Sequence, residues 1–134
     1  MNPHLTTRSN SMAHKIHKIA IISDDIEGAV EFYTKKLGLT VMERFANEDD
    51  EDYVFLDAGG ILLELMPQKT MGRASGFHHI SFDVDSVEDS AQDLKNKGVA
   101  ITKEPFDVGG GTGITLSFFE GPNQLNLQLF HREK

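Results

Sequence analysis

The chain contains no cysteine. That excludes a disulfide framework, a thiolate metal site and a cysteine nucleophile, so any bound metal must sit on nitrogen and oxygen ligands. Positive charge is also scarce: 13 Lys and Arg stand against 21 Asp and Glu, a net charge of −8. Nucleic-acid binders need a basic face to displace counterions from phosphates, so no nucleic-acid partner is expected. One local cation could still hold a small anionic substrate. No apolar run approaches the roughly 20 residues that a membrane helix needs, so no membrane partner is expected either. The remainder is ordinary for a globular chain, with 39% apolar and 25% charged residues over 134 positions. One domain acting in the cytoplasm is the expectation.

Residues 1–11 (MNPHLTTRSNS) have no apolar periodicity, and a second methionine, Met12, follows directly. They read as an added leader or a disordered arm, which leaves residues 12–134 as the domain.

Within that domain one unit is written twice. In the first module, residues 14–70, His17 to Ile22 alternates like a strand. Asp24 and Asp25 are candidate helix caps; Ile26, Ala29, Val30, Tyr33 and Leu37 recur at helical spacing, and Gly38 supplies a stop. Extended segments are predicted at Leu39–Phe45, Tyr53–Asp57 and Ile61–Met66. The second module, residues 76–133, repeats the order. A strand opens at His79, and Ser86 with Asp89 starts a helix that carries Val87, Ala91 and Leu94 and stops at Gly98. Extended segments follow at Val99–Glu104, Ile114–Phe119 and Leu125–Phe130. The predicted class is α+β, two βαβββ modules with curved mixed sheets. One helix covers one sheet face, so the other must close against the second module, a partner chain or a ligand. Two such sheets would form a cup.

Strand alternation sorts the side chains. Glu64 is a carboxylate inside an apolar strand, Ile61–Met66 (ILLELM). Burying it unpaired is expensive, so a cation or a hydrogen-bonded role is expected: a metal, or instead a buried lysine or arginine. In Leu125–Phe130 (LNLQLF) the leucines share one face, and Asn126, Gln128 and Phe130 share the other. His17 and His79 on the first strands, and Glu64 and Gln128 on the last, stand at equivalent positions of the two modules. Two imidazoles, a carboxylate and an amide oxygen suit a divalent metal with room for water. Gln128 could equally line a pocket without touching metal. His78 points away from His79 by alternation and reads as structural, and His131 as solvated. Asn47–Asp52 reads as a solvated turn; Gly109–Gly113 reads as a flexible connection or a lid.

These residues carry a resemblance. The segment His17–Ile21, the Glu31–Tyr33 helix ending at Leu37–Leu39, Leu63–Leu65, Phe77–Ile80, and Gly121–Asn123 ahead of Leu127–Leu129 together resemble the vicinal-oxygen-chelate superfamily. It comprises glyoxalase I, bleomycin-resistance proteins and extradiol dioxygenases, and the likeness runs from about Lys15 to Glu133. It implies a homodimer that binds a small-molecule substrate around a divalent metal (Ni, Zn, Co, Mn or Fe) on His17, Glu64, His79 and Gln128. In glyoxalase I that metal stabilises an enediolate while a glutamate moves a proton between adjacent carbons. Here the fourth ligand position is Gln128, which cannot move a proton, so Glu64 is the expected catalytic residue. Glutathione-using relatives place arginine four residues after the first ligand; Ile21 stands there, so strict glutathione dependence is not expected. A metal-dependent lyase or isomerase for a small carbonyl or hydroxy-acid substrate is the leading expectation. The alternatives are an extradiol-dioxygenase-like iron enzyme and a non-catalytic dimer that binds a drug or metabolite.

Overall fold

The computed structural model describes residues 15–46 and 52–133. Residues 1–11 and all of the acidic run except Asp52 lie outside the described residues. The chain forms two compact units: Lys18–His79, and Ile80–Lys134 together with the chain up to His17. The boundaries fall inside the two strands that open the modules.

The strand β1 (Lys15–Ser23) is followed by α1 (Ile26–Glu31), β2 (Thr40–Ala46), β3 (Asp52–Asp57), β4 (Leu62–Pro67) and a four-residue helix, α2 (Gln68–Met71). β1 runs parallel to β4, while β3 is antiparallel to β2 and β4. Asp25 caps α1: its Oδ1 accepts a hydrogen bond from the Gly28 N–H at 2.9 Å. Past Glu31 the helix widens into a π turn over Phe32–Lys36, where the Thr34 hydroxyl donates to the Val30 carbonyl at 2.7 Å. Gly38, at a φ of 81°, ends it. Ile26, Ala29, Val30 and Tyr33 lie against a core of Val54, Leu56 and Leu65. Replacing Asp25 with alanine removes one satisfied helix N–H; we expect a loss of about 1 kcal/mol, read as a lower urea midpoint with an unchanged slope.

The second unit repeats the pattern with β5 (Gly76–Asp83), α3 (Val87–Asn96), β6 (Ile101–Asp107), β7 (Ile114–Glu120) and β8 (Asn126–Arg132). β5 is parallel to β8, and β7 is antiparallel to β6 and β8. The Ser86 Oγ accepts from the Asp89 N–H at 3.1 Å, half of the expected capping box. Val87, Ala91 and Leu94 pack with Val84 and Leu129. The fold is therefore α+β, built from two βαβββ modules. Among the described residues no helix is long and apolar enough to cross a membrane.

His131 is not simply solvated. Its Nδ1 lies 3.0 Å from the Val84 carbonyl oxygen and its Nε2 2.8 Å from Glu133. Two acceptors on one ring favour the doubly protonated form; the Glu133 bond contributes most, and the pKa rises above the usual 6.5. The stability this raised pKa confers is complete below 6.5 and is lost as pH climbs through the folded value. Glu133→Gln should move the NMR titration midpoint of His131 down toward 6.5, and an unmoved midpoint would refute the assignment.

Candidate functional site

Glu64 is the centre of the site. β4 reads Leu62–Pro67, and the side chains of Leu63 and Leu65 join the helix-facing core. Alternation sends Glu64 and Met66 to the opposite face, where Met66 packs with Ala20 and Ile22. The register of β1 and β4 pairs Ala20 with Glu64 and Lys18 with Leu62. The β1 side chains on the Glu64 face are therefore Lys18, Ala20 and Ile22. On β3, Phe55 is the partner of Glu64.

Lys18 is the residue that the sequence reading passed over. It is 2% exposed and Glu64 is 7% exposed, so both charges are held out of water. The Lys18 Nζ lies 5.9 Å from the centroid of the Phe55 ring. Lys18 and Phe55 lie on the face from which Glu64 projects, with β4 between their strands. Burial pushes the Glu64 carboxyl above the ordinary value of 4.5, and the positive charge of Lys18 offsets part of that rise. A detectable signal was present: Lys18 interrupts an apolar alternating strand just as Glu64 does.

His17 alternates to the β1 face opposite Lys18 and stacks on Phe130, with ring centroids 4.2 Å apart and planes 18° from parallel. His79 is 1% exposed. Its Nδ1 sits 2.7 Å from the Nδ1 of His78, so one of these nitrogens donates and the other accepts. His78 was expected to point away; instead it bends back, its ring 75° from that of His79. Burial, helped by the charge of Arg73, lowers the His78 pKa below 6.5 and keeps that ring neutral near pH 7. Gln128 is buried and pairs in register with Ser81 and Phe118. Among the described residues, no three His, Asp or Glu side chains converge as a metal-holding group.

The chain matches the Glyoxalase/Bleomycin resistance protein/Dioxygenase superfamily over residues 15–129. It is 35% identical over 126 residues to the uncharacterised protein YwkD of Bacillus subtilis (strain 168), spanning 87% of this chain and 96% of that one. It is 24% identical over 129 residues to a probable lactoylglutathione lyase of Vibrio cholerae, spanning 90% and 93%. Among solved structures, a Streptomyces coelicolor methylmalonyl-CoA epimerase variant in complex with 2-nitronate-propionyl-CoA superposes with a TM-score of 0.71 at 24% identity. That match covers 90% of this chain and 95% of the epimerase. The chain belongs to the glyoxalase/bleomycin resistance/dioxygenase superfamily. Enzymes of the superfamily commonly use a divalent metal. The residues on the Glu64 face do not suit one, because a dication placed there would meet the buried positive charge of Lys18.

Proposed function

We propose that this superfamily member is a lyase or isomerase that moves a proton at a carbon next to a carbonyl, in a small carbonyl or hydroxy-acid substrate. The observation that carries the reading is Glu64: a carboxylate buried in an apolar strand, with its pKa raised by burial. A raised carboxylate accepts a proton from a weak carbon acid and returns it without a large energetic mismatch. The match to a probable lactoylglutathione lyase supports the same chemistry.

The step is redox-neutral. The Glu64 carboxylate takes the proton from carbon; the C–H electron pair forms a C=C bond, and the carbonyl pair moves onto oxygen. Returning the proton to the neighbouring carbon isomerises an α-hydroxy carbonyl substrate, the hydroxyl on the first carbon becoming the new carbonyl as its proton passes to the oxygen of the second; returning the proton to the original carbon from the other side epimerises the substrate. A glutamine amide cannot exchange a proton at neutral pH as a carboxylate does, so the transfer is assigned to Glu64 rather than Gln128. A homodimer in the cytoplasm belongs to the same reading, and light scattering in solution should return twice the chain mass.

The test is deuterium incorporation from D2O, followed by proton NMR, with three probes: methylglyoxal plus glutathione, methylglyoxal alone, and methylmalonyl-CoA. Exchange at the carbon beside the carbonyl of at least one probe, lost in Glu64→Gln, is the expected result. Exchange at the same rate in Glu64→Gln would remove Glu64 from the chemistry. Saturable binding without any exchange would point instead to a protein that sequesters its ligand.

A further inference from the structure

A lysine buried on the face of a buried glutamate is unusual, and the proton transfer above does not use it. We propose that the Lys18 ammonium, and not a divalent metal, is the cation of this site, and that it holds the substrate oxygen on which charge develops. The chemistry assigned to Lys18 rests on the proton-transfer reading, whereas the position of its charge rests on the geometry alone.

Three observations on separate strands place that charge. The β1–β4 register puts Lys18 on the face of Glu64, one pleat repeat along from it. The β3–β4 register puts Phe55 directly beside Glu64. The Lys18 Nζ lies 5.9 Å from the centroid of the Phe55 ring, whose residue is the β3 partner of Glu64. The ring face and the carboxylate both favour a monovalent cation at that point. At 2% exposure the lysine stem is fully packed, so the charge is not a surface group that swings aside.

A dication bound by Glu64 would share this low-dielectric space with a like charge. The repulsion is stronger here than in water and cannot be screened by salt. The ammonium has three N–H donors, enough to bond the Glu64 carboxylate and a substrate oxygen together. When Glu64 takes the proton from carbon, the negative charge that appears on the carbonyl oxygen is matched by Lys18. When Glu64 returns the proton, the carbonyl re-forms and the ammonium is unchanged. No electrons leave or enter, and no co-reactant is needed.

The experiment is a Co2+ titration of chelator-treated full-length protein at pH 8, read by visible absorption and calorimetry. Wild type, Glu64→Gln, Lys18→His and the doubly neutralised Lys18→Met/Glu64→Gln are compared. Wild type should form no stoichiometric cobalt complex. Lys18→His, which removes the fixed charge and offers an imidazole, should bind Co2+ roughly tenfold or more tightly. The doubly neutralised variant should stay folded and bind none. One equivalent of Co2+ taken up by wild type, with affinity lost in Glu64→Gln, would overturn the proposal. The wild-type arm decides the matter even where a variant fails to fold. Absence of cobalt binding combined with no deuterium exchange on any probe would support Lys18 as the cation and overturn only the proton-transfer reading.

Discussion

Glu64→Gln should lower kcat for the exchange reaction by roughly 10²–10⁴-fold, the range that general acid–base groups supply. KM should change little, so kcat and kcat/KM fall together, because the amide keeps the size and hydrogen-bonding oxygen of the carboxylate but cannot carry the proton. The same substitution has a stability signature. Burial raises the folded pKa of Glu64 above its unfolded value near 4.5, so the folded state binds the proton more tightly. The stability this group confers is present below 4.5 and is lost as pH rises through the folded pKa. The neutral glutamine feels no such loss. Any deficit of Glu64→Gln against wild type should therefore shrink as pH rises from 4 toward 7. A deficit that grows with pH would mean that the ionised pair outweighs its desolvation.

Lys18→Met should cost about 3–5 kcal/mol of unfolding free energy at pH 7, the range for removing one partner of a buried ion pair. Solvent screening gives no discount, since the two residues are 2% and 7% exposed. Against a total stability of about 5–15 kcal/mol, that loss is enough to bring the chain near its unfolding threshold at room temperature. Neutralising both groups should recover most of it, because no uncompensated buried charge then remains. A double-mutant cycle by urea unfolding gives the coupling directly. A loss under 1 kcal/mol in Lys18→Met would show that the two charges do not interact. The loss should also diminish as pH falls toward 4.5, where Glu64 becomes neutral on its own.

The twofold repeat was legible because period-2 and period-3.6 patterns alternate twice along the chain, and the faces they assign are the observed ones at Val87, Ala91, Leu94 and Leu129. What alternation does not carry is the register between strands. It separates His17 from Lys18 but leaves open which of them meets Glu64, and a shift of one residue exchanges the two faces. The pairing of Ala20 with Glu64 puts Lys18 on the Glu64 face. A lysine in a strand ordinarily reads as a solvated group, so the one beside His17 drew no attention, although an apolar strand made it as anomalous as Glu64. The His78–His79 contact was hidden for a related reason. Neighbouring side chains leave a strand on opposite faces, yet imidazole rings are long enough to fold back until their Nδ1 atoms lie 2.7 Å apart. The helix α2 has four residues, too few for any periodic signal. The π turn after Glu31 is carried by backbone bonds such as that from the Leu37 N–H to the Phe32 carbonyl, which no spacing of apolar residues announces.

The most direct measurement is deuterium exchange at the carbon beside the substrate carbonyl, with wild-type protein stripped of metal and assayed in excess chelator. With Glu64 moving the proton and Lys18 matching the charge, exchange continues at an undiminished rate in chelator. Exchange that stops in chelator and returns with one equivalent of a divalent metal would contradict the account.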